Sequence, residues 1–117
     1  MDLVQFFQWQ WADYSNNHRN RINLLLHIVV VPMFMVGTLL LIYAILSVTL
    51  SIAAAAIGFM VISIVVQGRS HKLETNQPVP FRGPVDVVRR IFFEQWITFP
   101  RFVLSGGWYK NLVACNG

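Results

Sequence analysis

The chain has 117 residues, 56% of them hydrophobic and 12% charged, with a formal net charge of +4. Ordinary soluble chains carry about 25% charged residues, so this composition excludes a typical soluble domain and points to a membrane. The nine Lys and Arg flank apolar segments. They form no basic run interleaved with aromatics, which excludes nucleic acid as a partner and favours anionic lipid headgroups.

The opening MDLVQFFQWQWADY starts on an acid, has no basic leader and no continuous apolar core, so no cleaved signal is expected. Residues 1–15 read as an interfacial helix with Asp2 as N-cap and Leu3, Phe7, Trp11 and Tyr14 on one face, widened by Phe6 and Trp9. Tryptophans beside glutamines suit the headgroup layer, where an indole buries its ring and keeps its N–H wet. SNNHRN, rich in turn formers, then breaks the helix.

Residues 22–68 contain no Lys, Arg, Asp or Glu. A bilayer crossing takes about 20 apolar residues, so this interval fits two crossings, with apolar arms at 28–46 and 49–67. Helices are required because backbone amides in hydrocarbon must be satisfied internally. The expected fold is an all-α membrane protein: a two-helix transmembrane hairpin (20–47 and 49–72) with amphipathic interfacial helices before and after it. The alanine run at 53–56 offers a smooth face for the first arm or for a second subunit, and the small membrane core of a two-helix hairpin favours a homodimer through it. All nine Lys and Arg lie outside the hairpin's apolar interval and none in its connection, which places both termini in the cytoplasm. The expected location is a bacterial inner membrane, or the endoplasmic reticulum of a eukaryote.

After the hairpin, 73–83 reads as a surface loop or linker. Residues 84–99 read as an amphipathic helix with Pro84 at its start, Asp86, Arg89, Arg90 and Glu94 on the polar side, and Val87, Val88, Ile91, Phe92 and Trp96 opposite. Arg89 and Arg90 read as a lipid-facing stripe, with i, i+4 pairs from Asp86 to Arg90 and from Arg90 to Glu94. The tail 100–117 adds Trp108, Tyr109 and Lys110 as interfacial anchors, and Cys115 is a lone free thiol. The whole chain, 1–117, is a single membrane domain.

The three histidines carry the chemical signal. With the hairpin apex at residue 49, His27 and His71 each lie 22 residues away. Each arm then runs roughly 33 Å, about one hydrocarbon thickness, so both imidazoles are expected at equal depth on the cytoplasmic boundary. The break at SNNHRN lets His18 fold back over the same mouth. Glu74 follows His71 at i+3, and Asn23 precedes His27 at i−4. Three imidazoles and a carboxylate, with Asn23, Asn76 or Glu74 to orient the rings, suit a first-row metal such as iron or zinc.

YSNNHRNRINLLLHIVVVP, followed by GRSHKLETNQPVPF, resembles the fungal 2-hydroxy fatty acid dioxygenase family and its short bacterial relatives. The matching positions are Tyr14, His18, Asn23, His27, Pro32, His71, Glu74 and Pro78, and FEQWITFPRFVLSGGW is similar to the C-terminal signature of the small bacterial members. The resemblance implies Fe(II) held by His18, His27 and His71, and oxidation of a 2-hydroxy fatty acid by O2 with loss of one carbon. The fungal site is associated with four histidines where this chain has three, leaving Glu74, Asn76, water or substrate for the fourth position. Arg19, Arg21, Arg69 or Lys72 is available to pair with the substrate carboxylate. Two other readings stay open: a non-catalytic membrane hairpin that binds lipid or a partner protein, and a b-type haem held by a His pair.

Overall fold

The computed structural model describes residues 1–115, and among these there is helix and no strand. The elements are α1 (Leu3–Ala12), α2 (Arg21–Ser47), α3 (Leu50–His71), α4 (Pro84–Phe93), a π-helical turn (Glu94–Thr98), α5 (Phe99–Leu104) and α6 (Gly107–Ala114). Both α2 and α3 are long and apolar enough to cross a membrane.

Only Val48 and Thr49 separate α2 from α3. Val48 closes α2 in the left-handed region at φ 51°, a conformation that β-branched residues rarely adopt. The two helices pack antiparallel through small and polar residues. Gly37 lies against Ala56 and Met60, so close that a β-carbon there would sit 2.7 Å from Met60 Cγ. Further along, Ser63 Oγ donates to Val30 O at 2.5 Å, and Ser70 Oγ donates to Asn23 Oδ1 at 2.6 Å. The pairs 37/56, 30/63 and 23/70 share one midpoint between residues 46 and 47, ahead of the turn itself. Away from this seam the large apolar side chains of both helices, such as Val29, Leu39, Ile57 and Val65, face outward.

α1 begins with a capping box: Asp2 Oδ1 accepts from Gln5 N, and Gln5 Oε1 accepts from Asp2 N. Phe6 and Tyr14 are buried and Phe7, Gln10 and Trp11 half-buried, with Trp11 packed on the core, while Leu3 is exposed. Gln10 can face inward because its amide is satisfied, donating to Arg90 O and accepting from Thr98 Oγ1.

On α4 and the π turn after it the expected faces hold only in part: Val87, Ile91 and Trp96 are half-buried as expected and Arg89 is exposed, but Val88 and Phe92 face outward. Val85 and Val88 are 81% and 68% exposed, whereas Arg90 is buried. Asp86, Arg90 and Glu94 turn toward protein because each has a partner there. Arg90 donates to Val79 O at 2.7 Å and to Pro80 O at 3.2 Å, and it contacts Asp86 at 3.4 Å. Its guanidinium also lies over the rings of Trp9 and Phe81. These bonds tie the 73–83 segment down. Of the two expected i, i+4 pairs, Asp86 with Arg90 forms, while Glu94 turns instead to Tyr14.

The helix widens to a π turn just ahead of Pro100. Proline has no N–H, and its ring clashes with the carbonyl four residues back. In the widened turn Phe99 N reaches back five residues to Glu94 O. The residues after it, expected as a tail, fold into α5 and α6 and close over the end of α2. Phe99 and Phe102 pack with Tyr14, Leu24 and Val31. Trp108 is held inward, its indole N–H donating to Leu24 O at 2.9 Å.

Candidate metal centre

His18, His27, His71 and Glu94 converge at the end of the α2–α3 pair, and one ligand atom from each lies within 4.8 Å of all the others. The ring centroids are 5.0 Å apart for His18 and His27, 4.7 Å for His18 and His71, and 4.8 Å for His27 and His71.

Each ring is positioned by its own segment. His18 follows the turn at 13–17, where Asn17 N bonds back to Asp13 O and Tyr14 O, and its ring stacks on Tyr14 at 4.0 Å. His27 is fully buried, two turns into α2. His71 is the last residue of α3. In the observed register His27 lies level with Val66, so His71 stands about five residues, roughly 7.5 Å, further along. The equal depth expected from an apex at residue 49 is therefore not found. The rings still meet because helical side chains tilt toward their own N-terminus, and the two helices run in opposite directions.

The hydrogen bonds fix which nitrogen faces the centre. His18 Nδ1 lies 2.8 Å from Tyr14 O and His27 Nδ1 lies 2.9 Å from Asn23 O. A carbonyl can only accept, so both Nδ1 atoms carry the proton and both Nε2 atoms present a lone pair. Those two Nε2 atoms, together with His71 Nδ1, are buried without a hydrogen-bond partner. Buried ring nitrogens are normally satisfied, and three orphans facing one point are the signature of a cation site. Imidazole nitrogens with one carboxylate oxygen suit iron or zinc.

Glu94, read from the sequence only as part of the polar side of an amphipathic helix, supplies that carboxylate. Its Oε2 accepts from Tyr14 Oη at 2.9 Å and lies 3.7 Å from His18 Nε2. Burial pushes its carboxyl up to about 7, partly offset by the Tyr14 hydroxyl and by Arg90. Burial likewise holds the His18 imidazolium well below the usual histidine range, reinforced by the neighbouring His27 and His71. Tyr14 is raised well above the ordinary phenol value by burial and by Glu94. Without a cation the cluster favours neutral groups, a set of lone pairs awaiting positive charge.

Glu74 and Asn76 do not enter the cluster. Both Glu74 oxygens accept from Arg19 N and Asn20 N at 2.9–3.1 Å, and Oε2 also accepts from Asn23 Nδ2 at 2.6 Å. Glu74 thus holds the two residues just ahead of α2, whose N-cap is Asn20, with Asn20 Oδ1 accepting from Asn23 N. Through Asn23, whose carbonyl holds His27, it acts one residue removed from the centre. Asn76 is exposed. The one signal for Glu94 was Pro100 six residues on, which disturbs the helical register in which its polar stripe was read.

Beside the centre lies a cavity of about 380 Å³, walled by α1, α3, α4 and the 77–81 segment and reaching His18, His71 and Glu94. No curated protein and no solved structure matches the chain. A family model described as 2-hydroxy-palmitic acid dioxygenase Mpo1-like matches residues 4–101, a span that holds all three histidines, Glu74 and Glu94, and the chain therefore belongs to the Mpo1-like family.

Proposed function

We propose that this chain is an Fe(II)-dependent membrane dioxygenase that shortens 2-hydroxy fatty acids by one carbon. The observation that carries the reading is the convergence of three unpartnered imidazole nitrogens and one carboxylate at the end of two apolar helices. His18, His27, His71 and Glu94 would hold the iron, which supplies O2 activation and polarisation of the bound hydroxy acid.

The protein's own residues do the positioning. Tyr14 O and Asn23 O lock the tautomers of His18 and His27, and Tyr14 Oη holds Glu94. Leu24, Phe99 and Phe102 exclude water from behind the rings. The adjoining cavity gives the acid a route to the centre. We place α2 and α3 across the bilayer as a hairpin with both termini on the cytoplasmic side. The outward apolar surface and the confinement of Lys and Arg to the ends support this. The exposed Val85, Val88 and Phe92 of α4 suit the interface beside it. A fatty acid lying in the inner leaflet then presents its carboxyl end at the depth of the histidines.

The test is metal analysis of gently solubilised protein, followed by oxygen uptake on 2-hydroxyhexadecanoate. Iron in the protein and pentadecanoate as product are expected, and His27→Ala and His71→Ala should lose both while still inserting. Protein that holds no iron and gives no turnover with added Fe(II) overturns the proposal in favour of the non-catalytic hairpin.

A further inference from the structure

One wall of the cavity beside the metal centre is a single face of α3. Ile64, Gly68 and Lys72 stand on it at i, i+4 and i+8, with His71 adjoining, and all four line the cavity. Measured down the helix from His71, Gly68 lies about 4.5 Å and Ile64 about 10.5 Å toward the apolar interior. The wall therefore runs from cation to gap to hydrocarbon.

Gly68 has no packing reason to be glycine. A β-carbon there would meet nothing within 4 Å, whereas one on Gly37 would strike Met60 and Ala56. Without a side chain, Gly68 leaves this stretch of the cavity wall open.

The upper end is polar and partly uncommitted. Two cationic side chains other than histidine line the cavity, Lys72 and Arg90. Arg90 is occupied by Val79 O, Pro80 O and Asp86, while Lys72 has no ion-pair partner among the described residues. The two carboxyls on the wall are engaged, Asp13 by Asn16 Nδ2 and Glu94 by Tyr14 Oη. Asn17 Oδ1, by contrast, is buried on the cavity wall without a hydrogen-bond partner.

We propose that this wall is the acyl subsite. The substrate carboxylate pairs with Lys72, Asn17 Oδ1 accepts the hydrogen of the 2-hydroxyl, and the alkyl chain passes over Gly68 toward Ile64. The assignment rests on the substrate class proposed above and narrows four candidate cations to one.

The test uses the full chain in lipid nanodiscs, with binding followed by tryptophan fluorescence, since Trp9 lines the cavity. The probes are 2-hydroxyhexadecanoate, its methyl ester and hexadecanoate. Lys72→Gln should weaken the hydroxy acid about tenfold and leave the ester unchanged. Asn17→Leu should erase the preference for the hydroxy acid over hexadecanoate. Gly68→Phe should abolish binding of the long acid with iron content retained, while Gly68→Ala binds as the parent does. Parent-like binding in both Lys72→Gln and Gly68→Phe overturns the subsite, and if Gly68→Phe does not fold, Lys72→Gln decides alone. Charge- and shape-dependent binding without oxygen uptake upholds the subsite and removes the dioxygenase reading; turnover untouched by either variant does the reverse.

Discussion

Tyr14 and Glu94, 80 residues apart in sequence, share a hydrogen bond of 2.9 Å, and the same tyrosine's carbonyl accepts from His18 Nδ1 at 2.8 Å. One residue thus positions two of the four groups at the centre. Tyr14→Phe removes the hydroxyl and keeps the ring that stacks on His18. Loss of a partner that orients a ligand lowers metal affinity about tenfold to a hundredfold, and that is the effect expected here. Competition with a chelator of known affinity checks it. Unchanged iron retention would show that Glu94 needs no such support.

The two carboxylates near the histidines separate into different kinds of defect. Glu94→Ala should empty the centre of metal while leaving the fold intact, since Glu94 is half-buried and, among the described residues, its carboxylate accepts a hydrogen bond from Tyr14 Oη alone. Glu74→Ala strands two backbone N–H groups at the start of α2 and the Asn23 amide. It should cost about 3 kcal/mol of stability. Thermal unfolding and metal content, measured on both variants, distinguish them. Loss of metal without loss of stability in Glu74→Ala would make Glu74 the ligand after all.

This division marks how far the sequence could be read. The histidines were legible because they are the chain's only ones and because an uncharged interval two helices long must return them to one end. The turn at SNNHRN correctly freed His18 from the α2 axis. The unequal depth of His27 and His71 was not legible: the Gly37–Ala56 contact sets the helix alignment, and a close approach between small residues leaves no periodic signature. Glu94 was hidden for a related reason. The stripe of Asp86, Arg90 and Glu94 reads as a polar face, but Arg90 and Glu94 find their partners inside the fold, in Val79 O, Pro80 O and Tyr14 Oη. Glu74 had the right neighbours in sequence, yet the nearest unsatisfied donors were backbone N–H groups, and these claimed it.

Gln67 and Gln95 form a reciprocal amide pair, with bonds of 2.7 and 2.9 Å, that joins α3 to the π turn behind the centre. Gln67→Leu leaves the buried Gln95 amide without this partner, at a cost of about 1–3 kcal/mol. The double variant Gln67→Leu, Gln95→Leu removes both polar groups, and Ser63 keeps its bond to Val30 O. Its stability should therefore recover most of the loss. A double-mutant cycle from thermal unfolding measures the coupling. Purely additive losses would mean that the amides do not depend on each other.

The glycines of α2 and α3 give the last prediction, because two of them look alike in sequence and differ in surroundings. A β-carbon on Gly37 would lie 2.7 Å from Met60 Cγ and 3.0 Å from the backbone oxygen of Ala56. Met60 is flexible and can yield, but the α3 backbone cannot move without shifting the register that aligns Ser63 with Val30 and Ser70 with Asn23. Overpacking of this kind costs about 1–3 kcal/mol. Because Asn23 holds His27, the disturbance should also reach the metal centre and reduce iron retention. A β-carbon on Gly58 would meet nothing within 4 Å, so Gly58→Ala should be neutral or should stabilise the helix by up to about 1 kcal/mol. Thermal midpoints and iron content of the two variants, purified side by side, provide the comparison. Equal behaviour would mean that the helix pair is not closed at Gly37, and that the register placing the histidines together is set elsewhere.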